Sequence, residues 1–348
     1  MRTQINSLTA TRAVAALMVF IHHFGTKVFP FSQFAYFFES GNLAVSYFFV
    51  LSGFVLYISY NQTDIRFADY FKRRVGRIVP VYLLALVLFL AVAFCFYDYK
   101  FSGNLVKQIA YSALFLQAYF PQYALSLNSP AWTISVEMLF YVLFPMLLLF
   151  EKRNTRFFIA VTSLLFIISQ AIHLKYYDGG AKLSERMEGY IFYNPLIHMN
   201  QFLIGMVGGY LYKKMKATAT KVKLLPLLLF CAIVLLIAFR PAGISYHVGL
   251  LAPLFMAFIL STAINDPKIL NARWLVFLGE ISYGIYILQF PVYKFLDVMN
   301  TNYMHMAAQY FFFFAAIVLV ASAAISYIFF EKPLRRKINS FSFGRHAA

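Results

Sequence analysis

Charge is scarce in this chain. Only 12% of its 348 residues are Asp, Glu, Lys or Arg, while 61% are hydrophobic and 20% aromatic. Soluble domains carry about a quarter charged residues, so the composition excludes an ordinary water-soluble globule and points to a membrane protein. Cysteine is nearly absent. Cys95 and Cys231 fall in separate apolar runs, which excludes a disulfide framework and a cysteine-based metal site. Acid is the scarcer sign, with 13 Asp and Glu against 30 Lys and Arg and a net charge of +17. Such an excess suits nucleic acid in a soluble domain. Here the basic residues sit in short clusters between apolar runs, where membrane orientation accounts for them, so no nucleic-acid partner is expected. His173, His198, His247, His305 and His346 are scattered without ligand spacing, and no metal is expected.

Long polar linkers and internal repeats are also missing, so residues 1–348 are read as a single transmembrane domain. The longest external connection, 176–194, is too short for a separate catalytic domain. Arg2 and Arg12 ahead of an apolar stretch also fit a signal peptide. No small-residue cleavage pattern follows His23, and the first run is read as a retained helix. A spanning helix needs about 20 mainly apolar residues. Runs of that kind cover 7–29, 40–60, 78–97, 131–150, 157–175, 195–212, 224–240, 246–264, 274–297 and 307–330. An eleventh, 104–120, is shorter and carries Lys107, Gln108 and Gln117.

The basic clusters set the parity. Arg66, Lys72, Arg73, Arg74 and Arg77 should face the cytoplasm, as should Lys152, Arg153 and Arg156. Both clusters can do so only if an even number of the intervening segments cross. The segment 104–120 is therefore expected to be interfacial or re-entrant. The fold class that follows is an all-α integral membrane protein with ten crossings and both termini cytoplasmic. Clusters at 213–223 and 332–337 then also face inward. With Arg2, Arg12, Lys268, Arg273 and Arg345 also on the cytoplasmic side, only Lys27, Lys100, Lys107, Lys175, Lys182, Arg186, Arg240 and Lys294 of the 30 Lys and Arg are left elsewhere. Gly205 and Gly209 form a small-xxx-small pair that suits close helix approach.

Ionisable residues inside apolar helices are costly and point to function. The first run reads RAVAALMVFIHH from Arg12 to His23. Eleven residues at 100° per residue bring Arg12 and His23 onto one helix face, about 16 Å apart along the axis. His22 points roughly 80° away from Arg12, which makes it the weaker candidate. The plain alternative has Arg12 snorkelling to the inner interface and His23 satisfied at the outer rim. In KRRVGRIVPVYL, Arg74 and Arg77 are three apart and can grip one phosphate ligand with paired hydrogen bonds; they can equally be topology charges. In SPAWTISVEMLFY, Glu137 sits about 9 Å below the outer surface if its helix starts near Ala131, the depth expected of His23. A carboxylate beside that imidazole would orient it, whereas pairing with a Tyr or Arg across helices would be packing alone. In FLGEISYGIYILQFPVY, Glu280, Tyr283 and Gln289 interrupt another apolar run, Glu280 close to the inner boundary.

In this order and spacing the stretches resemble the acyltransferase 3 family of integral membrane acyltransferases, over nearly the whole chain. The matching residues are Arg12-x10-His23, LAVSYFFVLSGFVLY from Leu43, Arg74-x-x-Arg77, SPAWTISVEMLFY from Ser129, LGEISYGIYILQFP from Leu278 and the closing FEKPLRRK. One departure is plain: many relatives carry a histidine where Gln289 stands. The resemblance implies transfer of an acyl group, usually acetyl from cytoplasmic acetyl-CoA, to a hydroxyl of an extracytoplasmic or lipid-linked glycan such as exopolysaccharide, capsule or O-antigen. It implies His23 at the chemical centre, Arg12 as its motif partner, and Arg74 and Arg77 as a basic pair, with Arg73 beside them at the donor's phosphates. It also implies a stand-alone form in the bacterial inner membrane, without the appended hydrolase-like domain common in the family. Acyl-CoA, the glycan acceptor and membrane lipids are the expected partners, and homo-oligomers are allowed. His23 would act as general base or take the acyl group itself, and the sequence leaves both open. The rival reading is a transporter or flippase of a lipid-linked saccharide, but no inverted repeat or matching pair of broken helices is visible.

Overall fold

Each of the ten apolar runs folds as helix over most of its length, because backbone polar groups in hydrocarbon must be satisfied within their own segment. The computed structural model describes residues 5–62, 65–177, 184–240, 246 and 248–340, and no strand occurs among them. Lys182, His247, His346 and part of the 176–194 connection lie outside the described residues. The helices that matter here are α1 (Asn6–Phe24), α2 (Leu43–Tyr60), α3 (Phe67–Phe96), α4 (Gly103–Ala113), α5 (Trp132–Arg153), α6 (Thr155–Tyr177), α7 (Met199–Met215), α8 (Leu225–Ala238) and α9 (Ala252–Asn265). They continue with α10 (Arg273–Glu280), α11 (Ser282–Met299), α12 (Ala308–Ser326) and α13 (Lys332–Ser340). A π-turn at Tyr327–Glu331 joins the last two.

Six helices among the described residues are long and apolar enough to cross a membrane. The pair α10 and α11, bent by 56° at their junction, makes a seventh if counted as one span. Helices α7, α8 and α9 have 17, 14 and 14 residues, short of the expected length. The chain is thus a multi-pass helical membrane protein. Outward-facing Val87, Met146, Leu149 and Phe329 give it an apolar perimeter.

The segment 104–120 does not form one helix. Helix α4 has 11 residues, about 16 Å, roughly half of the hydrocarbon core. The chain after it turns inward. Gln117 Nε2 donates to the Ala131 carbonyl at 2.8 Å, and Asn128 Nδ2 donates to the Ile287 carbonyl at 2.9 Å. Both side chains are buried. Irregular backbone at this depth is tolerated only where protein supplies such partners.

Helices α2 and α7 pack backbone to backbone. A Cβ built on Gly205 would lie 2.0 Å from the Val50 carbonyl oxygen, and one on Gly53 would lie 2.1 Å from that of Phe202. Without a hydrophobic drive between helices in lipid, this close van der Waals approach is what holds them together. Aromatic stacking, Phe140 on Phe202 at 4.5 Å and Phe20 on Phe312 at 5.2 Å, ties α5 to α7 and α1 to α12.

Candidate active site

The start of α1, the end of α2, the start of α3, the end of α10 and the α12–α13 junction converge on one cavity of about 400 Å³. Gly279 permits part of this convergence: a Cβ there would sit 1.8 Å from the Thr9 carbonyl oxygen, so α10 lies directly on α1. Arg12, Arg73, Arg74 and Arg77 all line the cavity, and Arg335 of α13 joins them. Glu137, Glu280 and Glu331 also face it, with Tyr141, Tyr283 and Tyr327.

The three arginines of α3 are not equivalent. Residues 73 and 74 point 100° apart on a helix, whereas 74 and 77 share a face. Arg73 is exposed at the rim and Arg77 half-buried. Arg74 is 9% exposed. Its Nη2 donates to the Tyr60 hydroxyl at 3.4 Å, and its guanidinium lies 5.6 Å from the Tyr60 ring centre and 6.0 Å from that of Tyr70. Its Nε is buried with no protein partner. A buried charged donor left unpaired is costly, and an anion entering the cavity would supply the acceptor that the protein does not.

His23 stands elsewhere. It lies at the far end of α1, about 16 Å from Arg12 along the axis, and does not line the cavity. Its Nδ1 is 3.0 Å from Oε1 of Gln289, which is fully buried. Its ring meets that of Phe290 edge-on at 5.2 Å and the His22 ring at 5.2 Å. Nδ1 of His22 is itself bonded to the Phe38 carbonyl at 3.3 Å. Ala16 and Val19, on the helix face between Arg12 and His23, are 0% and 1% exposed and packed into the core.

Glu137 does not pair with His23, which corrects the depth argument. Its carboxylate accepts from the Tyr141 hydroxyl at 3.1 Å, and Arg77, Arg12 and Arg74 act on it electrostatically. The depth argument assumed that α5 starts at the outer surface. Instead its entry is held inside. Asn128 bonds the Ile287 carbonyl and the Tyr286 hydroxyl bonds the Pro130 carbonyl at 3.1 Å, two to three residues before Gln289. The entry to α5 therefore lies near the level of His23. Glu137, five residues past Trp132, then falls about 8 Å toward the arginines. Sequence reasoning placed Arg335 among the topology charges and in the closing FEKPLRRK stretch, and missed its place in the cavity wall. The i,i+4 spacing of Glu331 and Arg335 in FEKPLRRK was the available signal.

No group of His, Cys, Asp or Glu suited to a metal ion occurs among the described residues. The acyltransferase domain family known as acyltransferase 3 matches residues 5–330. YrhL of Bacillus subtilis, provisionally named a peptidoglycan O-acetyltransferase, is 27% identical over 375 aligned positions covering 97% of this chain. The O-acetyltransferase OatA of Staphylococcus aureus is 24% identical over 379 positions, again 97% of the chain. The chain spans only 56% and 58% of those two proteins' own lengths. The acyltransferase MdmB of Streptomyces mycarofaciens is 30% identical over 151 residues, 41% of this chain and 39% of its own. No solved structure matches the chain.

Proposed function

Because the chain belongs to the acyltransferase 3 family, we propose that it is a membrane O-acyltransferase that binds acyl-CoA at the arginine-lined cavity and passes the acyl group by way of His23 to a glycan hydroxyl. Acetyl is the group favoured, since YrhL and OatA, which align with 97% of this chain, are named for O-acetyl transfer. The acceptor is a cell-surface or lipid-linked saccharide: a peptidoglycan-type glycan, exopolysaccharide, capsule or O-antigen. In this reading all ten apolar runs cross the bacterial inner membrane, and both termini and the arginine cavity face the cytoplasm.

One observation carries the donor reading: the buried, unpartnered Nε of Arg74 in a wall shared with Arg12, Arg77 and Arg335. CoA brings several phosphates, and guanidinium groups bind phosphate with paired, charge-assisted hydrogen bonds. The pantetheine arm has about 16 Å of α1 to cover before it meets His23. Ala16 and Val19 fill that face, so the arm passes beside α1 or displaces its packing.

Two routes then balance. As general base, His23 takes the proton of the acceptor hydroxyl while its oxygen attacks the thioester carbonyl. The C–S bond breaks, and the imidazolium returns the proton to the CoA thiolate. As nucleophile, His23 attacks the thioester carbonyl, the C–S bond breaks and CoA leaves as thiolate; the acceptor oxygen then takes the acyl group from the acyl-imidazolium, the ring leaves as neutral imidazole and the hydroxyl proton goes to the thiolate. Both routes use the ring nitrogen turned away from Gln289.

The test is transfer of radiolabel from acetyl-CoA to the glycan and lipid fractions of membranes containing the protein. His23→Ala is expected to abolish transfer with unchanged protein in the membrane, and Arg74→Ala to weaken CoA binding in a salt-sensitive way. Label left on CoA by the unaltered protein identifies a transporter instead, and unimpaired transfer by His23→Ala removes the proposed centre.

A further inference from the structure

We propose that Gln289 is a positioning residue that holds His23 with its proton on Nδ1 and so presents the Nε2 lone pair to the reaction. The proposal rests on the acyl-transfer reading of His23 for its catalytic meaning, but the hydrogen-bond logic is independent of it. Gln289 is fully buried. Its Nε2 donates to the Tyr286 carbonyl at 2.6 Å. A backbone carbonyl only accepts, so that bond decides which end of the amide is nitrogen. The amide oxygen is then the atom 3.0 Å from His23 Nδ1. An amide oxygen also only accepts, so Nδ1 must carry the hydrogen, and neutral imidazole then has its lone pair on Nε2.

The support behind this contact is rigid. The carbonyl that anchors the amide belongs to Tyr286, whose hydroxyl is tied to the Pro130 carbonyl at the entry to α5. Asn128 ties the same entry to the next residue, Ile287. The Phe290 ring edge closes one side of the imidazole. A carboxylate here would orient the ring too, but it would add a negative charge that stabilises the imidazolium. The amide orients it without that charge, which suits a ring that must start neutral whether it acts as base or as nucleophile.

The experiment combines a spectroscopic and a kinetic readout on the full chain. Protein labelled with ¹⁵N-histidine is examined by NMR without donor or acceptor, and the His23→Ala protein identifies the His23 signals. The expected spectrum has a protonated Nδ1 and an unprotonated Nε2. The near-isosteric Gln289→Met is expected to lose that single tautomer and to lower kcat about tenfold or more while leaving KM for acetyl-CoA unchanged. Gln289→Glu, which keeps an oxygen facing Nδ1, should recover the tautomer and part of kcat. CoA binding by each variant reports that the arginine cavity is still folded. A wild-type spectrum with the proton on Nε2, or wild-type kcat in Gln289→Met, overturns the proposal. Failure of the acyl-transfer reading shows separately, as transfer that survives His23→Ala.

Discussion

The Tyr141 hydroxyl donates to Glu137 at 3.1 Å from the next turn of the same helix, and both side chains line the arginine cavity. Glu137 thus faces the arginines and not the imidazole. Five arginines and three glutamates share the lining, so positive charge is in excess. Glu137→Gln removes one acid and keeps an oxygen for Tyr141. It is expected to tighten CoA binding several-fold at low ionic strength, with the gain shrinking as salt rises. Calorimetric titration at two salt concentrations checks this. Weaker binding at low salt would show that the carboxylate orders the guanidinium groups instead of opposing the phosphates.

Arg335 comes to the cavity from the last helix. Its Nη1 lies 3.9 Å from Glu331 Oε1, beyond hydrogen-bond range, so the pair is loose. A phosphate offers a better partner, since charge-assisted bonds to guanidinium are short and strong. Arg335→Ala is expected to raise the CoA dissociation constant by about three- to tenfold and to flatten its salt dependence. Arg336, one residue on, is exposed and does not line the cavity. Arg336→Ala is the control and should leave affinity unchanged. Equal effects from the two substitutions would reduce Arg335 to a general surface charge.

Much of the arrangement was legible in the sequence because apolar length and basic clusters report directly on helices in lipid. The helices formed where the runs lay, and Arg12, Arg74 and Arg77 met in one cavity. The partners of Glu137 were legible only as the alternative, a Tyr or Arg, and the choice went to His23 because depth was counted from an assumed surface. The polar residues that hold the chain before α5 inside, Gln117 and Asn128, were visible, and their backbone partners at Ala131 and Ile287 were not. Gln289 read as a departure from the family pattern, yet its neighbour is His23 itself. Contacts across 266 positions of chain leave no periodicity to find.

A buried carboxylate outside the cavity lining serves packing. Glu151, 3% exposed, accepts from the Tyr57 hydroxyl at 3.0 Å and from the Thr155 hydroxyl at 3.0 Å, which pins α2 to the α5–α6 turn. Tyr57→Phe deletes one donor and is expected to cost on the order of 1–3 kcal/mol. Thr155→Ala should cost less, because the one Thr155 hydroxyl hydrogen is divided between the carboxylate and the Glu151 carbonyl at 3.2 Å and so satisfies the carboxylate only in part. The two should not add, since each removes half of one shared network. Melting of the detergent-solubilised single and double variants reads the coupling. Additive losses would mean that the two hydroxyls act independently.

The direction of the chain through the membrane turns on residues 104–120. Helix α4 is too short to cross, and the following chain is tied to interior carbonyls through Gln117 and Asn128, so on the proposed topology it is expected to dip inward and return to the side it left. Gln122 lies exposed between the two tethered residues, and Lys152 is exposed at the far end of α5. With Cys95 and Cys231 replaced by serine, a cysteine introduced by Gln122→Cys is expected to react with an impermeant maleimide added outside intact cells. One introduced by Lys152→Cys should react only after the inner face is opened. Labelling of the Gln122→Cys protein from the inside alone would make 104–120 a crossing. It would then reverse every helix after it and place the two basic clusters on opposite faces, against the charge asymmetry that orients the chain.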